Sequence, residues 1–443
     1  MTEHAASTAL LTDHYELTML RAALHSGVAG RRSVFEVFAR HLPHGRRYGV
    51  VAGTGRLLDA LAAFRFGEAE LDFVSAAGLA DEATLDFLRS YRFSGDIWGY
   101  AEGECYFPGS PILVVDGTFA EAVILETLVL SVLNHDCAIA SAASRMVTAA
   151  GSRPLIEMGS RRTHEQAAVA SARAAYLAGF ATTSNLRAGQ LYGIPTSGTS
   201  AHAFTLVHDG EKEAFRGQVS ALGAGTTLLV DTYDVAAAVR KAVEVAGPDL
   251  GAVRVDSGDL PVVAGQVRLL LDELGARQTR IVLTGDLDEL SIAALAAAPA
   301  DGYGVGTSLV TGSGVPTAAL VYKLVARQGP GGPGAPLQPV AKRSVGKPGR
   351  GGRKWATRVT RRGTAVTELI TTEGPAEGRG RALLRPLVRG GEITGFEPLT
   401  AARDRHRAVL AELPPHALSL ARGYPALPTV FEPDQPDVPN GES

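Results

Sequence analysis

The stretch TTLLVDTYDVAAAVRKAVEVAG, residues 226–247, decides the fold. A short apolar run ends in polar residues and passes directly into a helical pattern. That is the signature of a buried strand, a polar tip and a helix returning over the sheet. The same rhythm recurs downstream. GAVRVDSGD (251–259) leads into LPVVAGQVRLLLDELG, RIVLTGDLD (280–288) leads into ELSIAALAAA, and GYGVGTSLV (302–310) closes the series. The units recur about every 25 residues, close to the length of a βα unit. Upstream, PLIEMGSRR (154–162), FATTSN (180–185) and IPTSGTSAH (194–202) read as further short strands. The sum is an irregular α/β barrel of about seven βα units. An open doubly wound sheet is the alternative, but no GxGxxG fingerprint marks a switch point.

Outside this core the texture changes. Residues 1–115 read as a β-rich α+β domain, in which SVFEVFAR (33–40) alternates as a strand. The barrel is predicted over 116–327. Residues 328–354 form a Gly/Pro-rich and then basic loop, 355–430 a C-terminal segment that packs with the N-terminal domain, and 431–443 a disordered tail. Thr118 and Glu121 make a capping box at the head of an apolar helix. Thr163 and Gln166 are expected to cap the helix that stops at Gly179.

Bulk properties exclude several function classes. The 443 residues are 45% hydrophobic, and the net charge is −3. No nucleic-acid partner is expected from that balance. The N-terminus has no basic stretch leading into an apolar run, so it does not read as a secretory signal. The apolar segment FAEAVILETLVLSVL (119–133) carries Glu121 and Glu126 and reads as a core helix, so no membrane partner is expected. Cys105 and Cys137 form no CxxC pattern, which fits a reducing cytoplasm.

In a barrel, side chains at the C-terminal strand ends face the active site. Here these ends carry Glu157 with Arg161 and Arg162, Thr183 to Asn185, His202, Asp231, Arg254 with Asp256, Gly285 with Asp286, and Gly304 to Ser308. One aspartate at a tip is as readily a helix cap as a catalyst. Together the set offers carboxylates for Mg²⁺ or ribose hydroxyls, arginines for phosphate, and Gly/Thr/Ser loops for anions. His202 stands among Gly, Thr, Ser and Ala, where an imidazole holds a phosphate or accepts one covalently. No lysine occupies a tip, which argues against a Schiff-base enzyme. No HxH or HExxH pattern occurs, which argues against a metal hydrolase.

The ordered series LLTDHYELTM, FEVFAR, EMGSRR, TSN, AGQLYGIPTSGTSAHAF, VDTYD, VRVDSGDL, VGTSLV and KRSVGK resembles nicotinate phosphoribosyltransferases over nearly the whole chain. The resemblance implies a reaction. Nicotinate and 5-phosphoribosyl 1-pyrophosphate (PRPP) give nicotinate mononucleotide and pyrophosphate, in NAD salvage. ATP is the co-substrate, coupled through a phosphohistidine. It implies that His202 carries the phosphoryl group, and that Arg254 lies near the pyridine ring and phosphates. Asp231 and Asp256 would hold ribose hydroxyls or the Mg²⁺ of pyrophosphate. Arg161 would lie near the base and its phosphate, and Gly285, Gly306 and Thr307 would present amides and a hydroxyl to the 5′-phosphate. Tyr15 would stack on the pyridine ring. Arg40, Lys342, Arg343 and Lys347 would reach the phosphates of PRPP or ATP. The resemblance implies that these last five would act across a homodimer with shared active sites.

Thr183, Ser184 and Asn185 lack the acidic residue that nicotinamide-using relatives place there, which favours a carboxylate substrate. Met158 stands where those relatives carry an aromatic residue. Plainer alternatives stay open at this level. Tyr15 also reads as an interface residue, KRSVGK as a solvated basic loop, and Arg254 with Asp256 as a structural ion pair. Quinolinate or nicotinamide phosphoribosyltransferases and a non-catalytic nucleotide-binding barrel are the competing functions.

Overall fold

A computed structural model describes residues 7–332, 334–342 and 349–432. The chain forms two compact units, one from Met1–Ala138 with Thr317–Ser443 and one from Ile139–Pro316.

The second unit is built on a curled parallel sheet. Its strands run in the order Thr182–Thr183, Leu155–Glu157, Gly302–Val305, Arg280–Leu283, Ala252–Val255 and Thr227–Leu229. A single parallel bridge from Thr183 to Thr196 adds a seventh position beside the first strand. Seven positions therefore follow one another around the sheet, but only six are strands. The stretch 194–202 does not form the expected strand. Pro195 has no N–H to extend a ladder, and past Ser197 the chain turns toward the helix His202–Leu206. Among the described residues nothing pairs this position with Thr227–Leu229, so the sheet is a half-barrel.

Several strand tips hand the chain to a helix with a side-chain cap. Asp234 accepts from the Ala237 amide at 2.7 Å, and Asp288 from the Leu290 and Ser291 amides at 3.1 and 2.8 Å. Asp259 caps Leu260–Glu273, with Pro261 in the first turn. One expected cap moves by a residue. The helix Glu165–Ala178 starts after His164, whose Nδ1 accepts from the Gln166 amide, so His164 takes the place predicted for Thr163. Gly179, with φ at +123°, ends that helix as expected.

The first unit centres on a seven-stranded antiparallel sheet. Its order is Leu337–Pro339, Leu320–Gln328, Arg32–Ala39, Leu113–Thr118, Asp96–Tyr100, Leu384–Arg389 and Glu392–Ile393. A four-stranded sheet of Arg381–Ala382, Trp355–Arg361, Thr364–Thr371 and Thr429–Glu432 lies in the same unit. The unit boundaries fall at 138 and 316, where the sequence suggests 115 and 327. Pairing explains the difference, because Leu113–Thr118 and Leu320–Gln328 both lie in the sheet of Arg32–Ala39. Part of the predicted loop 328–354 is also ordered pairing, with Leu337–Pro339 forming an edge strand on Leu320–Gln328. Of the tail expected over 431–443, Phe431 and Glu432 instead end the strand Thr429–Glu432, and 433–443 lie outside the described residues.

The Thr118–Glu121 capping box forms, and Glu121 also accepts from the Ser94 hydroxyl at 2.7 Å. The stretch Phe119–Ala150 is long and apolar enough to cross a membrane by length and composition, and 67% of its most apolar window is buried in the protein.

Candidate active site

His202 opens the helix His202–Leu206 and sits over neighbouring strand tips of the half-barrel. Its Nδ1 lies 3.2 Å from the Thr232 hydroxyl, and its Nε2 lies 4.0 Å from Asp231 Oδ1. The imidazole is 42% exposed and the Asp231 carboxyl 1%, so the ring is reachable while its acidic neighbour is shielded. Asp231 Oδ2 accepts from the Asp256 amide at 2.9 Å and the Ser257 hydroxyl at 2.7 Å. Its other oxygen has no hydrogen-bond partner among the described residues. A buried carboxylate oxygen without a donor is costly. Here it is an acceptor held ready, facing an imidazole N–H or a cation.

Arg254 organises the next tip. Its guanidinium donates to the Thr284 hydroxyl at 2.9 Å, the Thr199 hydroxyl at 3.1 Å and Asp256 at 2.9 Å. One side chain thereby joins the VRVDSGD tip, the TGD tip and the GTSAH loop. Burial works against the Asp256 carboxylate, but the Thr284 hydroxyl, Arg254 and His202 together hold its pKa below the ordinary value. Asp256 is therefore ionised at neutral pH. The Arg254–Asp256 ion pair of the plainer reading does exist, and it belongs to this cluster. Gly285 has φ at +117°, and a Cβ there would come within 2.6 Å of the Asp256 carbonyl oxygen. Only glycine suits that tip.

A second group sits at the EMGSRR and TSN tips. Glu157, 1% exposed, accepts from the Gly159 amide and the Thr183 hydroxyl. Burial raises its pKa, which those two donors oppose. Its carbonyl accepts from the Ser184 amide at 2.8 Å, and Asn185 donates to the Ser160 hydroxyl at 3.0 Å. Thr183 is buried, Ser184 and Asn185 are half-buried, and Arg161 is exposed in the turn that follows Gly159. At the last tip Gly306 precedes the helical turn Thr307–Val310, with Thr307 exposed.

The sequence resemblance implies Mg²⁺ at Asp231 and Asp256. Among the described residues no group of three His, Cys, Asp or Glu side chains is placed to hold a metal. Two carboxylates suit Mg²⁺ only where substrate phosphates and water complete the shell, and the free Asp231 oxygen fits that mode.

The remaining predicted residues belong to the first unit. Tyr15 is 45% exposed on the helix His14–His25. Burial and the neighbouring Glu126, Glu16 and Asp13 push its phenol up to about 12, so it is neutral. Arg40 and Lys342 line one cavity of about 670 Å³ with Lys323, Arg350, Lys354 and Glu36. Lys354 pairs with Glu36 there at 2.8 Å. Arg343 and Lys347 lie outside the described residues. Sequence reasoning missed the hydroxyls of Thr232, Ser257 and Thr284. Each directly follows or closely precedes a charged tip residue, which is the only signal they carry.

Comparison with known proteins places the chain. The nicotinate phosphoribosyltransferase (NAPRTase) N-terminal domain matches residues 10–134. A Mycobacterium tuberculosis protein named nicotinate phosphoribosyltransferase pncB1 is 59% identical over 432 residues, covering 95% of this chain and 94% of that protein. The chain belongs to the nicotinate phosphoribosyltransferase family. A second M. tuberculosis member of this family, pncB2, is 40% identical and covers 93% of this chain and 89% of its own length. The fold of this nicotinate phosphoribosyltransferase family member matches the crystal structure of human nicotinic acid phosphoribosyltransferase, with a TM-score of 0.80 at 24% identity over 95% of this chain and 97% of that one.

Proposed function

We propose that this enzyme joins nicotinate to PRPP, giving nicotinate mononucleotide and pyrophosphate in NAD salvage, with ATP hydrolysis coupled through His202. The observation that carries the ATP coupling is the reachable imidazole set against the shielded Asp231. Nε2 stands 4.0 Å from Asp231 Oδ1, too far for a hydrogen bond; closing that gap when ATP binds would hold the ring proton on Nε2 and leave the Nδ1 lone pair as the nucleophile. Nδ1 bonds to the γ-phosphorus of ATP, the bond to the ADP oxygen breaks, and ADP leaves. Water later takes the phosphoryl group from Nδ1 and releases phosphate.

In the transferase step the pyridine nitrogen bonds to C1′ of PRPP while the bond from C1′ to pyrophosphate breaks. Asp256 and Asp231 hold the ribose hydroxyls and stabilise positive charge developing at the anomeric carbon. The Asp231 and Asp256 carboxylates would hold Mg²⁺ together with substrate phosphates, and when bound it would supply positive charge to the leaving pyrophosphate. Arg254 anchors the phosphates and the base. The Thr183–Asn185 tip and Arg161 receive the nicotinate carboxylate, and Gly285, Gly306 and Thr307 receive the 5′-phosphate. Tyr15, Arg40, Lys342, Arg343 and Lys347 serve the site of a second copy in a cytoplasmic homodimer.

The test is product formation from nicotinate and PRPP with Mg²⁺, with and without ATP, for wild type and His202→Ala. ATP should stimulate the wild type strongly and leave the variant unchanged. Product without any effect of ATP or His202 removes the phosphohistidine. No product at all removes the substrate assignment.

A further inference from the structure

Glu289 opens the helix that follows the TGD tip and is 7% exposed. The hydrogen bonds of its carboxylate reach out of that helix on both sides. Oε1 accepts from Arg145 Nε at 3.0 Å, and Oε2 accepts from the Ser313 hydroxyl at 2.6 Å. Ser313 lies in the loop after Thr307–Val310 and has φ at +54°, between Gly312 at +62° and Gly314 at +78°. Glycine adopts that region freely, whereas serine does so at a cost and persists there only when its surroundings hold it. Two bonds hold it here. One is the bond to Glu289, and the other runs from the Ser313 amide to the Ser308 carbonyl at 2.6 Å. Glu289 thus locks the Gly306–Gly314 loop to the element that carries Gly285 and Asp286.

We propose that Glu289 is a positioning residue for the 5′-phosphate end of PRPP. It sets the distance between the two tips that receive that phosphate, Gly285 on one side and Gly306 with Thr307 on the other. Glu289 itself touches no substrate. The inference rests on the proposed assignment of those tips. Amides aimed at an anion lose binding quickly when misplaced, so the loss falls on PRPP rather than on nicotinate.

The experiment measures KM for PRPP and for nicotinate separately, with thermal melting, in Glu289→Ala, Glu289→Gln, Ser313→Ala and the double alanine variant. Ser313→Ala is the mild change and keeps the test informative if Glu289→Ala does not fold. KM for PRPP should rise on the order of tenfold in both single alanine variants, with KM for nicotinate within about twofold of wild type. The double variant should be no worse than Glu289→Ala, because Ser313→Ala removes a bond that Glu289→Ala has already broken. Glu289→Gln should recover most of the PRPP affinity, since its amide still bonds the Ser313 oxygen. Folded variants with unchanged KM for PRPP, or with both KM values raised alike, overturn the proposal. A wild type with no transferase activity overturns the underlying assignment instead.

Discussion

Glu16 is buried on the helix His14–His25, where its carboxylate accepts from the Thr127 amide and hydroxyl, both at 2.7 Å, and from the Thr12 hydroxyl. Burial outweighs these donors and raises its pKa from 4.5 to about 7. Between those values the folded chain keeps a proton that the unfolded chain has released. Stability therefore falls as pH rises through that window, by on the order of 2–3 kcal/mol for a shift of this size. Glu16→Gln keeps the bonds and has no charge to bury. Its melting temperature should depend less on pH than that of wild type from roughly pH 5 to 8, and parallel curves would refute this. Gly285→Ala adds a Cβ against the Asp256 carbonyl at a positive φ. It should cost about 1–3 kcal/mol in denaturant unfolding and depress turnover at the same time.

At the scale of the element, two βα units use their aspartates for two different tasks. In VDTYD the first, Asp231, is buried beside His202, and Asp234, three residues on, caps the following helix. In VDSGD, Asp256 meets Arg254 while Asp259 caps. The spacing is legible in the sequence, but the division of labour is not, because either carboxylate suits either task. The two variants Asp234→Ala and Asp231→Asn should separate cleanly. The first should lower stability by about 1 kcal/mol with turnover nearly intact. The second should reduce turnover at least about a hundredfold with little change in melting. Equal effects on both readouts in both variants would dissolve the distinction.

On the scale of the whole molecule, the first unit is assembled from both ends of the chain. Arg358 is fully buried and donates to Glu368 at 2.9 Å and to the Cys105 carbonyl at 2.8 Å, while Tyr100 donates to Glu368 at 2.6 Å. Glu104 adds a second carboxylate 3.5 Å from Arg358. Nothing in the sequence around Arg358 or Glu368 sets them apart from the surface charges of neighbouring strands. Glu368→Ala leaves the guanidinium short of a partner in the core and should cost about 3–5 kcal/mol, seen as a lower melting temperature. If Arg40, Lys342 and Tyr15 serve a second copy, an isolated monomer should be inactive. Sedimentation showing a fully active monomer would remove that role.

The sequence by itself determined what is local. Apolar periodicity, capping residues and the polar ends of strands act over a few residues, so the βα series, the Thr118–Glu121 capping box and the set of tip residues are legible without coordinates. Tertiary structure alone decided what depends on distant partners. Pairing of Tyr100 with Leu384, the failure of residues 194–202 to form a strand, and the bond from Glu289 to Ser313 are such features. The reason is physical. A strand or a buried carboxylate is completed by whichever group packing brings to it, and burial turns an ordinary side chain into a functional or structural one.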